Sequence, residues 1–325
     1  MQDWYQPDDI WKAVGIPDRD TFVQRCVFAG RFHAQVPEDV IRAYGTASHL
    51  MAQAWYHYPL YDEAIAKLLF TVEIAVKQRC QQVGVALTTS NAVGRTRSIR
   101  LQTLIDQLLA IEPYKGQLLG QWLHYVRELR NSFAHPDRYS YGGISLRHHI
   151  VPLLNLLNFL FLDETAMGEA AGYVAALRQQ IPSAANLLGI TWQETNIVLL
   201  RAEPQCATQV EGQWRVIWAF YPLISNLAEA LTRHQIQAPI VLTLTDLNVI
   251  ADEMTGTDVA TGQEIKLMSA PAGVAHFFLP AYQTDWQRAT ESERQLFTFR
   301  QQTALTQVVD EQCYQYFWRS SCGAN

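Results

Sequence analysis

The sequence predicts an α+β protein: an N-terminal all-helical bundle followed by a smaller α+β domain that ends in a long helix. Three observations carry this expectation. Apolar residues recur at helical spacing between about residues 46 and 185. After Pro182, short β-branched and aromatic runs alternate with turn signals. Charge changes along the chain, with a basic excess between Arg95 and His149 and an acidic C-terminal half.

Residues 1–45 are rich in aromatics and turn formers (Pro7, Gly15, Pro17, Gly30, Pro37) and read as a packed lead-in with short helical patterns. The helical part starts near Ala47. Its second helix, about Leu60 to Val83, carries Ile65, Leu68, Leu69, Val72, Ala75 and Val76 on one face, and Gly84 is a stop signal. Thr88 to Asn91 with Gly94 mark a loop. A third helix spans about Ile99 to Ala110, and a fourth, about Gly116 to Ala134, carries the motif discussed below. A fifth begins near Ser145 and is apolar through Leu153, Leu154, Leu157, Leu160 and Phe161. Beyond residue 186, strands are expected at Asn196–Arg201, Gln213–Phe220, Pro239–Thr245, Glu264–Met268 and Val274–Leu279, with a hairpin connection at Asp258–Gly262. A helix at about Leu223 to His234 splits them, and one from about Asp285 to Trp318 closes the chain.

With 325 residues, 49% hydrophobic and 17% charged, the chain is long enough for two cores and too apolar for disorder. A net charge of −6 and a pI near 5.8 do not suit a protein that wraps duplex DNA over its whole surface, so any nucleic-acid contact is expected to be local. Five scattered cysteines without a C-x-x-C pair argue against a disulfide framework or cysteine zinc site and for a reducing compartment. No signal peptide is read at the N-terminus, and the most apolar run, near Leu153 to Leu162, is broken by Asn155 and Asn158 and too short to span a bilayer. The expectation is a cytoplasmic protein with no membrane partner. No P-loop, G-x-G-x-x-G, H-E-x-x-H or G-x-S-x-G element is present, and no metal or other cofactor is expected.

The chemistry-bearing stretch is Arg130-Asn131-Ser132-Phe133-Ala134-His135, followed by Pro136. A guanidinium offers a planar fork of donors to phosphate oxygens, and an imidazole titrates near neutrality and can carry a proton to or from a ribose oxygen. The Arg-x4-His spacing alone is common, so its context carries the reading. On a helical wheel, Trp122, Val126, Leu129 and Phe133 form the stripe expected to pack into the bundle, while His124, Glu128, Asn131 and His135 lie opposite with Arg127 beside them. Arg130 falls on the flank. Positions i and i+5 are about 140° apart on an ideal helix, so Arg130 and His135 meet only through arginine's reach, distortion before Pro136, or a second copy of the helix.

A bundle of four to five helices with Arg-Asn-x-x-x-His ending its fourth helix resembles the HEPN superfamily, as does the earlier helix Tyr61 to Glu73, with small and apolar positions leading to a Glu. The resemblance covers about residues 46–170, and no family is recognised in residues 186–325. It implies a metal-independent endoribonuclease acting as a homodimer with its motifs facing across the interface, often a toxin or phage-defence effector. Arg130 would bind the scissile phosphate, His135 would serve the 2′-OH as general base or acid, and Asn131 would orient one of them, leaving a 2′,3′-cyclic phosphate. Arg127, Arg138 and Arg147 would contact the RNA. Some relatives carry, two residues after the histidine, a tyrosine that an antitoxin partner nucleotidylates. Asp137 stands there in this chain, with Tyr139 and Tyr141 further on as candidate modification sites. The competing reading is a catalytically silent module for dimerisation or RNA binding, in which Arg130 pairs with a carboxylate such as Glu73 and His135 caps helix carbonyls. His148-His149, His124 and Asp252-Glu253 read most simply as solvated or interface groups.

Overall fold

The aromatic lead-in folds into the interior of the first of two units. The computed structural model describes residues 5–90, 94–134, 143–181, 187–250 and 253–318, without the side chains of Ala134 and Ala272. The first unit comprises the described residues up to Glu164 together with Trp318, and the second comprises those of Thr165–Phe317. In the first, α1 (Ile10–Ala13) and α2 (Arg19–Cys26) precede α3 (Glu38–Gln53) and α4 (Leu60–Gln82). Trp11 is fully buried against Phe22, Tyr58 and Tyr61, and its indole N–H donates to Ala54 O at 2.8 Å. The pattern of a large ring with its one polar atom satisfied ties the lead-in to α3 and α4. A short hairpin, β1 (Thr88–Ser90) and β2 (Thr96–Ser98), stands where the sequence shows a loop.

Three further helices complete this unit: α5 (Leu101–Ile111), α6 (Pro113–Ala134) and, after the 3₁₀ segment Gly143–His149, α7 (Ile150–Phe161). α7 is the most apolar element and nearly every residue in it is buried. Its two asparagines are satisfied there. Asn158 accepts from His33 N at 3.0 Å and donates to Arg31 O at 2.9 Å, and Asn155 Oδ1 accepts from Trp318 Nε1 at 2.7 Å. Buried amides of this kind would be costly if unpaired, and here they hold the lead-in and Trp318 against the central helix. Among the described residues, no single helix is long and apolar enough to cross a membrane.

The second unit overturns the expected α+β domain. After α8 (Glu164–Gln180), which begins on the last residue of the first unit, come β3 (Leu188–Trp192), β4 (Thr195–Val210), β5 (Gln213–Pro222), α9 (Leu227–Thr232), β6 (Ile240–Ile250), β7 (Glu253–Asp258) and β8 (Glu264–Ser269). Each strand pairs antiparallel with the next, and β3 pairs with β8, so the six strands close into a barrel. The expected strand list lacked β3 and β7, the two that complete the circuit. β3 contains Gly189, and β7 contains Gly256 where a Cβ would meet Thr245 O at 3.3 Å and Leu247 Cδ2 at 2.8 Å. Glycine weakens the strand signal in both, and at Gly256 it also allows the close approach of β6, whereas nothing crowds Gly189. Register shifts in β4 and β6 supply the bends. Val274–Leu279, expected as a strand, lies within α10 (Ala272–Arg288). The single closing helix is two, because Thr290 and Glu293 form a reciprocal capping box that restarts the chain as α11 (Glu291–Tyr316).

Side chains fill the barrel. Leu188, Ile190, Leu199, Val216, Trp218, Phe220, Leu242, Leu244, Met254, Ile265 and Leu267 form one cluster, joined by Val174 and Leu177 of α8. β5 is buried on both faces from Val216 to Tyr221, since α11 packs over β5 and β6 outside the barrel. This explains its uninterrupted apolar run. Trp218 is fully buried, and its indole N–H has no acceptor among the described residues. Trp218→Phe removes that unpaired donor and is expected to cost less than about 1 kcal/mol despite the smaller ring. The denaturant midpoint of the barrel transition checks this; a loss above about 3 kcal/mol would contradict it.

Candidate active site at the end of the motif helix

Pro113 occupies the first position of α6, where its missing N–H costs nothing, and Tyr114 N donates to Glu164 Oε1 at 2.6 Å. Lys115 is wholly buried one residue later. Its ammonium contacts Glu112 Oε1 at 2.8 Å, Leu162 O at 2.8 Å and Glu164 Oε2 at 3.6 Å. Arg79 of α4 grips the same Glu112 carboxylate through Nη2 and through Nε at 3.1 Å. Burial opposes ionisation of Glu112, but the hydrogen bonds and charges of Arg79 and Lys115 outweigh it and hold the carboxyl below the usual range. Gly116 and Gly120 let α6 approach α5 closely: a Cβ there would stand 3.3 Å from Leu109 O and 3.4 Å from Leu109 Cδ1. The start of the motif helix is therefore fixed in depth and direction.

The inward face of α6 differs from the expected stripe. Leu119, Leu123 and Val126 are buried, whereas Trp122, Leu129 and Phe133 are only half-buried. Large aromatics attracted the wheel towards themselves, and Lys115 hid the first position of the true stripe. Arg130 continues the buried face one turn beyond Val126 and points towards α4. Its Nη2 lies 2.8 Å from Glu73 Oε2, its guanidinium carbon 5.0 Å from the Phe70 ring centre, and its Nη1 donates to Asn131 Oδ1 at 3.2 Å. The Glu73 contact is a charge contact rather than an aligned hydrogen bond. Lys77 donates to the other oxygen of Glu73 at 2.6 Å. Two cations thus share one carboxylate, leaving the cluster with a net positive charge at the helix end.

Arg127 and Arg130 line the same narrow cleft with Glu73, a gap barely large enough for one water molecule. Arg127 donates to Gln102 Oε1 at 2.9 Å and to Glu128 Oε1 at 3.0 Å. Asn131 is exposed. Arg147 belongs to a different patch: it donates to Arg25 O at 3.2 Å, which caps the end of α2, and lines an open pocket of about 340 Å³ with Val14, Ile16, Arg25, Ile144 and His148. His135, Arg138, Tyr139 and Tyr141 lie outside the described residues. The structure thus brings Arg127, Arg130 and Asn131 to one helix end and sets Arg147 elsewhere. Phe70, Lys77 and Gln102 support the site without having been singled out; only Lys77, four residues after Glu73, carried a readable signal. His124 faces Asp106 at 3.4 Å. No group of three His, Cys, Asp or Glu side chains gathers among the described residues.

The His148 and His149 rings pack at a tilt of 45° with centres 3.9 Å apart, and Tyr125 Oη of α6 lies 3.1 Å from His149 Nε2. Burial, and then the charge of His148, pushes the His149 pKa down to about 4. The unfolded chain, with a pKa near ~6.5, therefore binds a proton first. Stability is expected to be full above about pH 6.5 and to fall towards pH 4, by on the order of 1 kcal/mol after solvent screening. Thermal melts at stepped pH check this, and His149→Gln should flatten that part of the profile.

Comparison with protein-family models, curated proteins and solved structures gave no match to this chain.

Proposed function

We propose that the helical unit is a metal-independent endoribonuclease of the HEPN type, cleaving RNA by attack of a ribose 2′-OH on the adjacent phosphate. Arg130 would stabilise the phosphorane charge and His135 would exchange the proton, with Asn131 orienting the guanidinium. The observation that carries this reading is the placement of Arg130. It lies near the end of α6 with its side chain 27% exposed, oriented by Glu73 and Phe70 and hydrogen-bonded to an exposed Asn131. A positioned guanidinium with a net positive surround suits a scissile phosphate. Arg127, Arg138 and Arg147 would hold flanking phosphates.

A homodimer with facing motifs is part of the proposal. Tyr114, Leu118 and Tyr125 are exposed on the side of α6 away from Arg130, so facing motifs would need a contact at the end of the helix rather than along this side. An intracellular ribonuclease needs restraint, which makes a toxin or phage-defence effector in the cytoplasm, governed by an antitoxin or regulatory protein, the fitting setting. Tyr139 or Tyr141 would be the place for silencing by modification.

A second reading, a silent dimerisation or RNA-binding module, is favoured by one observation: Glu73 already occupies one amine of Arg130. Cleavage of a labelled tRNA and mRNA pool in EDTA separates the two. Wild type is expected to cut and leave cyclic phosphate ends, while Arg130→Ala and His135→Ala do not. RNA binding by all three without any cleavage would sink the enzymatic reading.

A further inference from the structure

We propose that Cys206 and Cys313 form an oxidisable dithiol that fastens the C-terminal helix to the barrel wall. Their sulfurs stand 3.7 Å apart, one on β4 and one on α11, 107 positions distant in sequence. This is the one pair of cysteine sulfurs in contact among the described residues; Cys26 and Cys80 are buried singly in the helical unit. The proposal concerns the barrel unit and does not rest on the ribonuclease reading.

A disulfide needs sulfurs about 2.05 Å apart, so the pair must close by roughly 1.7 Å, within reach of side-chain rotation and a small backbone shift. The shift is available on the β4 side. The ladder between β4 and β5 slips register between Pro204 and Cys206, and Pro204 has no N–H to pin the strand there. On the other side α11 is held firmly: Thr243 donates to Gln312 Oε1 at 2.6 Å, and Arg215 Nη1 to Tyr316 O at 2.5 Å. These two bonds lie one residue before Cys313 and three residues after it, and hold its sulfur against β4.

The two thiols differ in access, which sets the order of events. Cys206 is partly exposed and Cys313 is 3% exposed. Burial, reinforced by contact with Cys206, pushes the Cys313 thiol up and keeps it protonated, and either sulfur can donate in the contact. Cys206 therefore meets the oxidant first. Its thiolate attacks a peroxide, breaking the O–O bond and forming an S–O bond; the thiol has become a sulfenic acid and the peroxide has been reduced to water or an alcohol. The Cys313 sulfur then attacks the Cys206 sulfur and its proton leaves with the hydroxyl as water. One peroxide has taken two electrons from two thiols. In a reducing compartment such a link is transient and is reversed by thiol exchange.

The test treats the folded full chain with hydrogen peroxide, blocks free thiols, and maps peptides by mass spectrometry. A Cys206–Cys313 cross-link is expected, with the barrel transition raised by about 5 °C and restored by a thiol reductant. Cys206→Ser should abolish both effects. In Cys313→Ala, a sulfenic-acid reagent should label Cys206; should that variant fail to fold, the wild-type map and Cys206→Ser still decide. Cys206 and Cys313 both recovered as blocked thiols, under peroxide that oxidises a reference thiol protein, would overturn the proposal, as would Cys206 linked to a different cysteine.

Discussion

Glu112→Ala is expected to destabilise the helical unit by about 3–5 kcal/mol. The carboxylate is 5% exposed at its side chain and is gripped by Arg79, 14% exposed, and Lys115, fully buried. Removing it strands two cations away from water, with the Leu162 carbonyl and the more distant Glu164 as the remaining partners of Lys115. Lys115→Met should cost less, because Glu112 keeps both bonds from Arg79. The double variant, Glu112→Ala with Lys115→Met, should cost less than the sum of its parts, since the second change removes a charge that the first leaves unpaired. Chemical denaturation of the three variants measures this coupling, and strictly additive losses would refute the network. The same group sets an acid limit. Because the folded carboxyl titrates below its unfolded value near ~4.3, its contribution is complete above that pH and is lost as pH falls through the lower folded value.

This buried network also shows where the sequence is hard to read. The extents of α4 to α6 follow from apolar spacing and lie close to the expected bounds. The phase of α6 does not, since a lysine at a buried position contradicts the simple pattern and Trp122 pulls the apparent stripe around the helix. What restores the phase is tertiary: Arg79 and Glu112 make position 115 tolerable for a charge. The barrel was obscured differently. Its closure depends on β3 and β7, each short and each with a glycine; β3 closes the circuit through β8, far away in sequence, while β7 lies between its neighbours β6 and β8 with little local propensity to mark it. Thr290-Glu291-Ser292-Glu293 carries the capping signature of the break between α10 and α11, yet the sequence reading runs a single helix from about Asp285 across it and a strand through Val274–Leu279. At the candidate site, Arg130, Asn131 and Glu73 could be named from their types and positions. Their mutual arrangement required knowing that Arg130 lies on the buried face.

That arrangement makes the second large expectation specific. Under the proposed ribonuclease function, Arg130→Ala is expected to lower RNA cleavage by about 10²–10³, the range for losing a charge-stabilising donor, and to cost only about 1 kcal/mol of stability. The small structural cost follows from Lys77, which still neutralises Glu73 at 2.6 Å. Arg130→Lys keeps the positive charge but loses the planar fork that reaches Glu73 and Asn131 together, so it should restore stability more fully than cleavage. Glu73→Gln should leave the guanidinium on Phe70 and beside Asn131, and retain cleavage within about tenfold, because the carboxylate positions the arginine without touching the phosphate. If the pair were purely structural, Arg130→Ala and Glu73→Ala would instead destabilise to similar extents, show strong coupling in a double variant, and change no rate of RNA cleavage. Single-turnover cleavage measured beside denaturant midpoints for this set separates a phosphate-binding arginine from a helix-pairing one.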